Sequence, residues 1–177
     1  MFIALCSIIT TGVCSAQKII GIGTLYNNSF RDWVIETEDV GRGEIRMRWA
    51  FRDDWTEWDV QIGDVTATIE QKWKDDPNLW EIRCNGEVVN AKTTWPGEFN
   101  RWKLTDANHN FNWGTKYFNQ RDEWFTDDKK SEYFQIYTYY SGDPRDWVVV
   151  DELPSDVSMA MKIAMIFLAI HYSTPRI

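Results

Sequence analysis

The side chains best suited to chemistry in this sequence are its carboxylates. They cluster as Asp53, Asp54, Glu57 and Asp59, then Asp75 and Asp76, then Asp122, Glu123, Asp127 and Asp128. Two such groups facing each other across a cleft would form the acid and base of a glycosidase, and a carboxylate beside an exposed tryptophan suits sugar binding. Asp75/Asp76 or Asp127/Asp128 could hold calcium, although neither shows the loop pattern of an EF-hand. The competing reading is structural and is preferred: acidic turns keep a tryptophan-rich sheet protein soluble.

The other reactive types are few. His109 lies in the turn Asp106-Ala-Asn-His-Asn110, where solvation is expected. His171 ends a long apolar stretch, where a positive charge would suit a helix C-terminus and the expected role is structural. No serine or cysteine is set against a histidine as a nucleophile, and no Cys/His group has metal-ligand spacing. Cys84 reads as a strand residue, and phosphate loops are absent. The sequence therefore predicts no catalytic residue, no metal and no cofactor.

One short repeat does single out residues. Arg31-Asp32-Trp33 and Arg145-Asp146-Trp147 each open an apolar run, with looser versions at Arg52-Asp53-Asp54-Trp55 and Arg121-Asp122-Glu123-Trp124. Residues two apart on a strand share a face, which would lay Arg31 over Trp33 and Arg145 over Trp147 as cation–π clamps. The functional alternative is a pair of related ligand-contacting corners, or a trace of internal duplication. Arg31, Trp33, Arg145, Asp146 and Trp147 are the candidate binding residues.

These residues must be positioned by strands. Short apolar runs fall near 19–26, 30–37, 44–51, 56–62, 65–73, 79–84, 87–93, 99–105, 110–118, 122–126, 132–139 and 145–151. Turn chemistry separates them, with Asn85-Gly86 the strongest two-residue hairpin signal. Alternation in Val65-Thr-Ala-Thr-Ile-Glu and Tyr133-Phe-Gln-Ile-Tyr-Thr-Tyr gives each sheet one dry face. Aromatics reach 15%, with 11 tryptophans, a composition that favours strands.

The last stretch, 156–172, is different. Pro154-Ser155 precedes it as a start signal and Ser173-Thr174-Pro175 stops it. A helix apolar all round must be surrounded by protein or lipid. Met161, Ala164, Ile166, Phe167 and Ile170 are its expected core residues. At 1.5 Å per residue it spans about 25 Å, close to the height of a wall of tilted strands. A membrane span is disfavoured because Lys162 lies inside the apolar run and the segment is short. An outer helix would need a broader polar face than Ser158 and Lys162 provide. The predicted architecture is mainly β: a closed antiparallel barrel of about twelve strands around a buried C-terminal hydrophobic helix at 156–172.

The strand series, followed by Trp147-Val-Val-Val-Asp-Glu-Leu and then Asp156-Val-Ser-Met-Ala-Met-Lys-Ile-Ala-Met-Ile-Phe-Leu-Ala-Ile, resembles the tubby-like superfamily, in particular its LURP-one-related and scramblase-like branch. The resemblance covers residues 19–172 and is one of order and pattern. It implies a twelve-stranded closed barrel around a central helix. Tubby domains bind phosphoinositide headgroups through basic residues. Here the nearest basic pairs, Lys72/Lys74 and Lys129/Lys130, have acidic neighbours, and the cysteine-rich and calcium-binding segments of scramblases are not recognisable.

The first sixteen residues carry no charged side chain and end in Val13-Cys14-Ser15-Ala16, which resembles a signal-peptidase site cut after Ala16. Export is expected on that pattern, with a cytoplasmic location as the alternative. The barrel domain then occupies 17–177 and retains Cys84 alone. A formal charge of −8 argues against non-specific binding to nucleic acid and to anionic lipid.

The function expected from all this is a non-catalytic binding or scaffold domain. Its ligand would be a lipid, a membrane component or a protein, met at the barrel rim or wall because the helix fills the interior. No nucleic-acid partner and no integral membrane span are expected. The alternative is a secreted carbohydrate-binding or carbohydrate-active barrel using exposed tryptophan and paired carboxylates.

Overall fold

Strict alternation decides which face of each strand is dry. In the run Leu79–Cys84, Trp80, Ile82 and Cys84 are buried while Arg83 is exposed. Register carries the pattern to the neighbours, with Ile82 opposite Ile69 on one side and Val89 on the other. Repeated around the chain, this builds a wall with an apolar inner face.

The structure is a computed structural model and describes residues 18–39, 41–126 and 133–176. The signal-like segment 1–16, Asp127, Asp128, Lys129 and Lys130 lie outside the described residues. Twelve strands follow in order: β1 (Ile19–Thr24), β2 (Asp32–Thr37), β3 (Arg42–Trp49), β4 (Asp54–Ile62), β5 (Val65–Gln71), β6 (Leu79–Cys84), β7 (Glu87–Thr93), β8 (Arg101–Thr105), β9 (Asn110–Tyr117), β10 (Gln120–Thr126), β11 (Phe134–Thr138) and β12 (Asp146–Asp151). Each strand pairs antiparallel with its chain neighbours, and β1 closes the barrel on β12 through Gly21 opposite Val148 and Ile22 opposite Trp147. Closure leaves no unpaired edge. The predicted β6–β7 hairpin is present, with Asn85 and Gly86 both at positive φ as a tight two-residue turn requires.

The helix α1 (Met159–Ser173) is enclosed by this wall, and residues 160–172 are all buried. Met161, Ala164, Ile166, Phe167 and Ile170 each have essentially no exposure. Phe167 meets Trp58 and Trp80 edge-on, at ring-centroid distances of 5.6 and 4.9 Å. The helix begins three residues later than the pattern predicted, and its cap is Ser158 rather than Ser155. The Ser158 hydroxyl accepts from the Met161 amide at 3.2 Å. Asp156 and Val157 instead belong to the lead-in, where Val157 donates its amide to the Pro154 carbonyl.

Lys162, the charge that counted against a membrane span, is held in the core. Its ammonium donates to Asp151 Oδ2 at 2.7 Å, and both side chains are almost wholly enclosed. Asp151 also accepts the amides of Ile19 and Leu153, so one carboxylate joins β1, β12 and α1. Among the described residues, no helix is long and apolar enough to cross a membrane.

Candidate functional site

The carboxylate clusters resolve into separate local tasks. Arg48 gathers Glu57 at 2.8 Å, Asp59 at 2.5 Å and Glu70 at 3.3 Å on the outer wall, and the hydrogen bond to Asp59 leads the causes that raise its pKa. Asp54 accepts from the Thr56 hydroxyl and amide, which hold its carboxyl below the usual range. Asp76 binds Asn78 in the same manner. Glu123 takes Lys116 at 2.8 Å and Gln135 at 2.7 Å. Among the described residues, no group of three or more His, Cys, Asp or Glu side chains could hold a metal ion.

His109 differs from its sequence reading, whereas His171 sits in the structural setting expected of it. His109 is mostly enclosed: its ring reaches Asp156 at 3.3 Å and ties the β8–β9 turn to the segment before α1. His171 packs against Trp80 and Phe167 at centroid distances of 5.0 and 4.9 Å, with Trp55 and Trp58 close by. Neither ring nitrogen has a hydrogen-bond partner. Burial pushes its pKa down to about 3, helped by Arg176, so it is neutral and contributes no charge to the helix dipole.

The Arg-Asp-Trp corners also read differently. Trp33 and Trp147 belong to the core, at 1% and 3% exposure. Arg31 does not lie over Trp33. It donates to Asp53 at 2.9 Å, the carboxylate that also takes the Trp55 indole. Arg145 pairs with Asp143 at 2.8 Å, and Asp146 is exposed. The two corners flank the end of β1, whose Thr24 lies opposite Trp33 and whose Ile22 lies opposite Trp147. An arginine just outside a strand is directed along the loop, whereas the tryptophan two positions on turns inward. They therefore do not stack.

What holds each corner is the indole itself. Trp33 donates to the Phe30 carbonyl at 2.9 Å, Trp58 to Trp55 at 3.0 Å, Trp102 to Phe99 at 3.0 Å, Trp124 to Arg121 at 3.1 Å and Trp147 to Pro144 at 2.8 Å. Each bond spans three residues; Phe30, Phe99 and Pro144 end loops that are thereby pinned to β2, β8 and β12, whereas Trp55 and Arg121 already lie in β4 and β10. Trp80 reaches its own third residue back, Pro77, through the Tyr172 hydroxyl. The barrel is thus six hairpin units, each with a buried tryptophan at this position, and Trp55 and Trp113 are buried besides.

A second residue recurs with the same period. Seven positions before these tryptophans stand Tyr26, Phe51, Trp73, Trp95, Tyr117 and Tyr140. All six are between 56% and 76% exposed. Each lies in, or at the border of, a connection from an odd strand to the next even one, and antiparallel order puts those six connections at one end of the barrel. Phe118 and Tyr139 add to the same end. Aromatic-x6-Trp repeated six times was legible in the sequence. The Arg-Asp-Trp similarity caught two of its six copies, and reading the spacing backwards from each tryptophan finds the rest.

The C-terminus of α1 closes this end from inside. Arg121 donates to the Tyr172 carbonyl at 2.6 Å, Trp124 donates to Ser173 Oγ at 2.9 Å, and Tyr172 stacks on Phe99 at 4.7 Å. Surface hollows lie both here and on the wall: one of about 630 Å³ at this end is lined by Arg52, Asp53, Lys74, Asp75 and Arg176, and two more lie outside the strands. One of about 650 Å³ runs over β3–β6 past Arg46, Asp59, Thr68 and Arg83. Another of about 600 Å³ lies over β1, β2 and β12 and includes Tyr139 and Tyr140. Comparison with protein-family models, with curated proteins and with solved structures found no match.

Proposed function

We propose that this chain is a non-catalytic binding or scaffold domain of the tubby-like type, engaging its ligand at the barrel rim or wall. The observation that carries this reading is the filled interior. Thirteen successive helix residues, 160–172, are buried in the space where a ligand-carrying barrel keeps its cavity. Of the clustered carboxylates, Asp53, Asp54, Glu57, Asp59, Asp76 and Glu123 are engaged locally, and the rim and wall offer contact surface. Pull-down from native extract and co-sedimentation with vesicles test it. A ligand recovered by either supports the reading, and turnover of a substrate by the purified chain counts against it.

A second reading has one specific observation in its favour. Trp73 and Trp95, 63% and 65% exposed, stand on the neighbouring β5–β6 and β7–β8 connections with Asp75 and Glu98 close in sequence. Flat aromatic faces beside carboxylates suit a carbohydrate. A glycan array probes this directly, and a chain that retains no glycan removes the reading.

A further inference from the structure

The six exposed aromatic side chains raise the question of what covers them. Monomeric proteins rarely concentrate such groups without a partner. We propose that this end of the barrel is a docking surface for a lipid bilayer, with the aromatic rings seated at headgroup level. The proposal rests on the reading of the chain as a binding domain and names the partner.

Arrangement is the first argument. The six positions belong to six different connections distributed around a closed wall. By strand spacing and tilt, a twelve-stranded barrel is about 24 Å across. A glycan or peptide in a groove would meet two or three neighbouring loops. A flat surface is the partner that meets all six together.

Chemistry is the second. Five of the six are Tyr or Trp, side chains with an apolar body and a polar tip, the types enriched where membrane meets water. Several loops are also held in advance, because buried indoles tie down Phe30, Phe99 and Pro144 directly and Pro77 through Tyr172. Docking then costs little ordering entropy.

Charge is the third. The six connections at this end, with the segment after α1, carry six basic and five acidic side chains. Among the described residues, the opposite end carries six acidic side chains and Lys18. The whole-chain charge of −8 therefore misrepresents the aromatic end, since the negative excess sits on the walls and the far end. The strand-opening residues at this end add Asp32, Asp54, Asp146 and Arg101, so the aromatic end is close to neutral and is the end that a negative membrane surface repels least.

The test mixes the purified full chain with phosphatidylcholine vesicles and with phosphatidylcholine–phosphatidylserine vesicles, and reads sedimentation. Wild type is expected with both. Trp73→Ser/Trp95→Ser is expected to lower partitioning by roughly tenfold or more, whereas Ile20→Ser, an exposed apolar residue on the wall, leaves it unchanged. Brominated acyl chains should quench tryptophan emission of the wild type and spare that of the double variant. If circular dichroism shows the double variant misfolded, Tyr26→Ser/Tyr140→Ser replaces it with the same expected loss. Absence of vesicle binding, or binding indifferent to these substitutions, overturns the bilayer assignment. Glycan binding or self-association that depends on Trp73 and Trp95 without vesicle binding also overturns it, while the binding-domain reading stands. A chain that binds neither vesicle, glycan nor extract protein overturns both.

Discussion

Trp80 donates its indole N–H to the Tyr172 hydroxyl at 2.9 Å, and that hydroxyl donates onward to the Pro77 carbonyl at 2.8 Å. In the other five hairpin units the indole reaches the corresponding carbonyl directly. The helix thus interrupts one unit and, through Ser173 between Trp124 and the Arg121 carbonyl, adds a bridge to a second, which sets its rotation inside a wall of near-equivalent repeats. Tyr172→Phe leaves the Trp80 N–H and the Pro77 carbonyl without this link. A loss of about 1–3 kcal/mol is expected in urea denaturation, the cost of an unsatisfied buried polar group. An unchanged midpoint would show that the relay does not form.

The buried ion pair makes a sharper prediction. Lys162→Met leaves Asp151 charged in an apolar interior, and stability should fall by about 3–5 kcal/mol. Adding Asp151→Asn removes the charge and keeps one oxygen, which serves the Ile19 or the Leu153 amide, since these bond different oxygens of Asp151. Recovery of about 1 kcal/mol or more by the double variant is expected. A double variant no more stable than Lys162→Met would refute the account.

His171 predicts a pH dependence. Its pKa is about 3 in the folded protein against 6.5 when exposed, so below pH 6.5 the unfolded chain binds a proton that the folded chain does not. Stability contributed by the neutral imidazole is complete above pH 6.5 and declines as pH falls toward 3. Between pH 7 and pH 5 the loss should be about 2 kcal/mol by urea titration. His171→Phe, which keeps a ring among Trp55, Trp58 and Trp80, should flatten that segment of the profile.

Ile166 has no exposure on the enclosed helix. Ile166→Asp places an unpaired carboxylate there, costing several kcal/mol against a total stability of ordinary size. The variant should lack a cooperative thermal transition. Near-normal melting would place the helix outside the barrel.

Strand placement was readable because each strand's inner face is apolar, and period-two alternation survives in any sequence that builds such a wall. All twelve predicted runs overlap an observed strand, nine enclosing it, while β3, β4 and β10 each start two residues before the predicted run. The helix boundary slipped because Pro154-Ser155 and Ser158 are both plausible start signals, and only the amide of Met161 shows which hydroxyl caps. The cation–π reading of Arg31 and Arg145 failed for a related reason. Sequence spacing assigns a face within a strand, but both arginines lie in loops, where the nearest carboxylate determines direction.

By itself the sequence determined the mainly β class, the enclosed helix and, in its aromatic-x6-Trp spacing, the six-unit plan. These follow from local periodicity, which neighbouring residues carry. Tertiary structure alone decided that the six exposed aromatics share one end, that the acidic excess lies away from them, and that Lys162 meets Asp151 and Tyr172 meets Trp80. Those relationships come from closing the barrel and threading the helix. Closure joins residues as far apart as Trp80 and Tyr172, a separation of 92 positions that no short-range pattern encodes.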